Sequence, residues 1–188
     1  MLLLVSQALA SEGPEAVAVV PRPFAGHPVV ELRVGVDAAA LGSESPLPTL
    51  CGEVTPLDRL SVEACGNGGG VLHNRDVPDM SHYRVRYAAA RVRRGAGEAS
   101  LVVGAGLAEV QGGADAPGFR TGPAVEGQIE AAGAEASAGV KARWWPHPRT
   151  YVAFEVGGGV AWIPGAPEVI GAASPAVGFA CVTVGAGF

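Results

Sequence analysis

Lysine is nearly missing from this 188-residue chain: a single Lys141 stands against twelve arginines. Charge of either sign is sparse, at 16% of residues, with a formal net charge of −5. That balance offers nucleic acid no basic surface, and none is expected as a partner. Long hydrophobic runs are also lacking, although the mean hydropathy is positive. No stretch approaches the ~20 apolar residues of a membrane helix. Cysteine is limited to Cys51, Cys65 and Cys181. Their spacing fits no zinc pattern, and His73 is the nearest imidazole, so no metal is expected. Hydrophobicity spread this thinly is what period-two strands produce.

What is present begins with MLLLVSQALA, residues 1–10, an apolar patch followed by an Ala8-Leu9-Ala10 cleavage-like signature. The expectation is the remnant of a signal peptide, with a frayed apolar terminus as the alternative. Residues 11–27 carry Pro14, Pro21 and Pro23, which favours an extended leader. The main domain is then expected over 28–188. In an exported chain Cys51 and Cys65 could form a disulfide; otherwise they are two unpaired thiols. Cys181 lies mid-strand and reads as a packing residue.

Eight alternating segments are expected, near 28–41, 57–67, 81–94, 98–111, 122–132, 134–145, 149–163 and 175–188. Each has about the length of a tilted membrane strand. Helix competes only over 124–143, where Gly127, Gly133 and Gly139 would each cost about 1 kcal/mol in a helix interior. The clearest segment is TYVAFEVGGGVAW. Val152, Phe154, Val156, Val160 and Trp162 share one face, while Tyr151, Ala153 and Glu155 share the other. Similar apolar stripes are Val30-Leu32-Val34-Val36, Tyr83-Val85-Tyr87 and Val182-Val184-Ala186-Phe188. Glu109 breaks the rule by sharing a face with Leu101, Val103 and Leu107. It must therefore lie at a membrane interface, or a bulge near Gly104 or Gly106 must flip the register.

The opposite faces gather six bases and six acids: Arg33, Arg59, Arg84, Arg86, Lys141 and Arg143 with Glu31, Asp37, Glu63, Glu126, Glu130 and Glu155. Such parity suits a narrow barrel interior, where an unpaired ion is costly. The apolar faces are mostly valine and alanine, too light to fill the space between packed sheets. Tyr83, Trp144, Trp162 and Phe188 stand at the ends of their stripes, where interface aromatics belong. The expected fold is thus all-β, an antiparallel up-and-down barrel of about eight strands that crosses a membrane.

Carrying these marks over residues 28–188, the chain resembles the small outer-membrane β-barrels of Gram-negative bacteria, the eight-stranded OmpA/OmpX kind. Its ending AVGFACVTVGAGF, an alternating strand closed by Phe188, resembles the C-terminal signal that the barrel-assembly machinery reads in that family. Trp145-Pro146-His147-Pro148-Arg149 resembles a short periplasmic hairpin, and 164–174 an external loop. The resemblance implies outer-membrane lipid and the assembly machinery as partners, and an outer-membrane location. It leaves the oligomeric state open. One departure stands out: linkers 68–80 and 112–121 fall on the periplasmic side of this strand layout and are long for it. Strand count or pairing is therefore open by one hairpin.

Chemistry is thin. HNRDVPDMSHY, residues 73–83, holds His73, Asp76, Asp79, Ser81 and His82, the residue types of a hydrolase. Nothing in their spacing brings base to nucleophile, so no catalytic residue is assigned. GNGGG, residues 66–70, lacks the lysine and helix of a phosphate cradle and reads as a turn. Arg91, Arg93 and Arg94 suit a solvated strand end or contact with anionic headgroups. No cofactor is expected. The leading function is an integral barrel with a structural or loop-presenting binding role. The alternatives are a soluble lipocalin-like barrel for an apolar ligand and a barrel-embedded lipid esterase.

Overall fold

The computed structural model describes residues 29–39, 46–67, 78–113 and 120–188. The expected signal remnant and proline-rich leader lie outside the described residues. Eight strands run in chain order: β1 (Val29–Ala39), β2 (Leu47–Leu57), β3 (Leu60–Gly66), β4 (Asp79–Arg94), β5 (Gly97–Gln111), β6 (Glu130–His147), β7 (Thr150–Trp162) and β8 (Ala176–Gly187). Each pairs antiparallel with its sequence neighbour, and β1 pairs with β8 to close the barrel. The seam is completed by Val30 and Phe188, whose backbone groups exchange bonds of 3.1 and 3.0 Å. Closure leaves no exposed edge, so every ladder group has a partner even against lipid.

The eight strands differ from the expected eight in two places. The span 47–57 forms β2, although Pro48 and Pro56 argue against a strand there. Both prolines are tolerated for local reasons: Pro48 is the strand's second residue, ahead of the ladder to β3 that begins at Leu50, and Pro56 falls in the register shift between Val54 and Leu57. Conversely, 122–129 is not a strand. Gly122 and Gly127 have φ of 106° and 78°, outside the range a strand allows. The pattern Val125-Glu126-Gln128-Ile129 belongs to a loop, and β6 begins at Glu130.

This exchange resolves the linker problem. The short turns 58–59, 95–96 and 148–149 all lie at one end, where Val30 meets Phe188. The strand ends joined by the longer connections, Ala39 and Leu47, Gly66 and Asp79, Gln111 and Glu130, and Trp162 and Ala176, all lie at the other, the loop end. The strand ends that flank linkers 68–80 and 112–121 are thus at the loop end, not beside the short turns. The segment 163–175 carries a short helix, α1 (Ala166–Ile170), ended by Gly171 in the left-handed conformation.

One irregularity decides which side chains enter the barrel. Arg84 and Arg86 point inward, and so do Arg91 and Arg93, yet the two pairs differ in parity along β4. The ladder to β5 shifts between Ala88 and Ala90, so that Ala89 is the extra residue of a bulge. Val92 therefore stays on the outward face, and all four arginines turn in.

Candidate functional site: a charge-filled lumen

The outward surface is an apolar belt. Phe154 and Val156 are 49% and 47% exposed, and Leu32, Val34, Val85, Leu101, Val140, Val182 and Val184 are exposed with them. A soluble barrel would bury these groups, so the lipocalin-like arrangement is reversed here. Trp144 pairs with Val152 near the short turns, while Trp162 closes the other end of β7. Ten residues separate Val152 from Trp162 in that strand. At ~3.3 Å per residue and a tilt near 40°, the span is about 25 Å, the height of a membrane-facing band. Phe188 is exposed at the short-turn end and Tyr83 toward the loop end. Glu109 sits on the outward face two residues from the loop end of β5, and the β5–β6 ladder runs without a shift past Gly104 and Gly106. It is an interface residue.

The inward surface has three layers. At mid-barrel Arg33, only 1% exposed, bonds Glu155 and Glu63 and reaches Glu53 at 3.0 Å. Arg86 bonds Glu155 and donates to Glu63 at 2.5 Å and to Glu53 at 2.9 Å. Lys141 donates to Glu53 at 2.5 Å and to Glu31 at 2.9 Å. Arg84 donates to Glu63 at 2.6 Å, and Arg143 to Glu31 at 3.1 Å. The Tyr151 hydroxyl donates to Glu31 at 2.7 Å. Carboxylates and cations thus alternate through one network, which is the condition for burying charge without a large net penalty. Arginine suits it because one planar fork serves two or three carboxylates from different strands.

Nearer the short turns, Glu98 receives Arg93 at 2.8 Å and Arg143 at 3.5 Å, and Arg91 binds Asp58 at 2.8 Å. Arg93 lies over the Trp145 ring and Arg143 over Tyr151. This layer is the barrel's floor. The arginines Arg91 and Arg93 are therefore paired inside it, while Arg94 alone of the three faces outward.

Nearer the loops, His82 lies between Glu135, 2.6 Å from Nδ1, and Asp37, 3.5 Å from Nε2. Its ring packs on Phe179 at 4.4 Å. Above it the lumen turns apolar: Met80, Val110, Ala131, Ala161, Ile163, Ala166, Val177 and Phe179 form one buried cluster under α1. Gly159 makes room for the Phe179 ring, which a β-carbon at that position would strike. The apolar plug is a correction to the expectation of a uniformly charged interior.

Of the twelve residues expected in the lumen network, Glu31, Arg33, Glu63, Arg84, Arg86, Lys141, Arg143 and Glu155 meet at mid-barrel, and Asp37 joins His82. Arg59 and Glu126 do not take part; both are exposed in turns. Glu130 is buried at the loop end, 3.4 Å from Arg120. Sequence reasoning passed over Glu53 because its strand went unrecognised; it also passed over Glu98 and Glu135, although alternation with Ser100 and Lys141 marks both as inward. Cys51 and Cys65 face each other across β2 and β3 and form a disulfide, with Cα atoms 4.1 Å apart. Cys181 carries a free thiol.

Among the described residues the hydrolase set does not assemble. Ser81 and His82 are neighbours in β4 and so face opposite sides of the sheet. His73 and Asp76 lie outside the described residues, as does most of GNGGG. The carboxylates of Glu53, Glu63 and Glu155 converge within 4.8 Å, a spacing open to a divalent cation. Arg33, Arg86 and Lys141 already donate into those oxygens, so the cationic role is filled from within the chain.

No family model matches this sequence, and no curated protein matches it. Solved structures match in shape. Neisserial surface protein A aligns with a TM-score of 0.54 at 7% identity, covering 85% of this chain and 95% of that one. The fold is that of a small outer-membrane β-barrel. The N-terminal β-barrel domain of Pseudomonas aeruginosa OprF aligns over the same 85% of this chain and 97% of its own, at 13% identity and a TM-score of 0.45. Ail, the attachment invasion locus protein of Yersinia pestis, covers 98% of its own chain at 12% identity and a TM-score of 0.41. At such identities the likeness is one of fold. What marks this outer-membrane-type barrel individually is its layered lumen of ion network and apolar plug.

Proposed function

We propose that the protein is an integral barrel of the bacterial outer membrane, with a structural or loop-presenting binding role. The observation that carries this is the inversion of its surfaces: valine and aromatic side chains face out along every strand, while twelve or more ionisable groups are sealed within. Water has no reason to select such a surface, and hydrocarbon does. The layout of short turns at one end and long loops at the other supports the same orientation, with the turns toward the periplasm. Outer-membrane lipid and, during insertion, the barrel-assembly machinery are the partners that follow. The loop end is the part of the barrel available to meet anything outside the cell.

Expression with a complete signal, followed by fractionation, tests this reading. Recovery in the detergent-solubilised outer membrane is expected, with gel migration that changes on boiling. Release as a monodisperse periplasmic protein would overturn it.

A further inference from the structure

Each of the three short turns carries one exposed arginine. Arg59 lies in turn 58–59, Arg94 directly precedes turn 95–96, and Arg149 lies in turn 148–149. None of the three side chains makes an ion pair or side-chain hydrogen bond with the described residues, in contrast to Arg91 and Arg93 beside them. Asp58, the exposed carboxylate next to Arg59 in the chain, is already held by Arg91. Among the described residues at the loop end the balance reverses: Glu126 and Glu168 are exposed, and the one exposed arginine, Arg120, is near Glu130. The described surface is therefore asymmetric in charge between its two ends, with its unpaired positive charge gathered at the short turns.

Position gives this charge a partner. Arg94 shares a rung of the sheet with Gly97 and Trp144, on the outward face. Trp144 is 57% exposed, and exposed Leu57 and Val92 lead into turns 58–59 and 95–96. An indole on an apolar belt marks the level where hydrocarbon gives way to headgroups. An outward guanidinium there meets lipid phosphate, which its fork grips with paired hydrogen bonds.

We infer that Arg59, Arg94 and Arg149 form a basic rim that gathers anionic phospholipid in the leaflet beside the short turns. This rests on the membrane reading above.

The test uses the full chain refolded into phosphatidylcholine vesicles holding a minor fraction of phosphatidylglycerol. Trp162→Phe leaves Trp144 and Trp145, both at the short-turn end, as the fluorescent reporters. Bromine is placed on either lipid at the same mole fraction. Brominated phosphatidylglycerol is expected to quench about twofold or more as strongly as brominated phosphatidylcholine. High salt, and the combined change Arg59→Gln, Arg94→Gln, Arg149→Gln, should each remove the excess while quenching by phosphatidylcholine persists. Equal quenching by the two lipids, or an excess that survives the triple change, would overturn the rim and leave the membrane reading intact. Quenching by neither lipid would overturn both.

Discussion

Arg33 is the residue on which most of the lumen converges: it touches Glu31, Glu53, Glu63 and Glu155 from the centre of the barrel. Replacing it with methionine leaves carboxylates facing one another without enough positive charge. Arg33→Met should therefore lower unfolding stability by about 3–5 kcal/mol, measured by denaturant titration in lipid vesicles. Adding Glu63→Gln should recover part of that loss, because the second change removes one of the stranded charges. On the outer face the same scale of effect has a different origin. Val156→Arg puts an ion at the middle of the apolar belt and should cost about 2–4 kcal/mol. Val152→Arg, beside Trp144, should cost about 1 kcal/mol or less, since its guanidinium can reach the interface. Equal losses at the two positions would mean that the belt does not meet lipid. Both faces were legible in sequence from alternation alone, and Glu31, Arg33, Arg84, Arg86, Lys141 and Glu155 could be sorted inward on that basis.

At the scale of the element, alternation is blind to interruptions. The two arginine pairs of β4 have opposite parity, and only the bulge at Ala89 lets both enter the lumen. Deleting Ala89 should produce a regular ladder with every other side chain on its present face. We expect that variant to insert and to keep its heat-dependent gel migration, with stability changed by no more than about 2 kcal/mol. Deleting Val85 instead shifts the register in mid-strand and should abolish insertion, because it sends Arg84 or Arg86 to lipid. The missed strand β2 shows the converse limit. Its two prolines are a sound argument against a central strand, and they fail here because each sits where the ladder already lacks or shifts a bond. The false strand at 122–129 alternated convincingly, but glycines that adopt positive φ broke it.

For the whole molecule, the layered interior determines transport behaviour. The ion network blocks mid-barrel, the Glu98 layer closes the short-turn end, and the apolar cluster under α1 closes the other. Reconstituted into planar bilayers, the protein should show no steady ohmic pore, and single-channel recording checks this directly. A stable open conductance in the unaltered chain would contradict the packing described above. The same closure explains why buried charge is tolerated: acids and bases drawn from six different strands meet only when the barrel is complete.

Period-two alternation, light outward stripes, terminal aromatics and a near-balance of acid and base were enough to determine the class of this protein, because lipid outside and a narrow interior impose those features on any strand they enclose. Tertiary structure alone decided which carboxylate meets which cation, where β2 lies, and that the loop-end lumen is apolar. Those outcomes depend on register, on one bulge and on contacts between residues as far apart as Arg33 and Glu155, and pairing across a closed sheet is a property of no single strand.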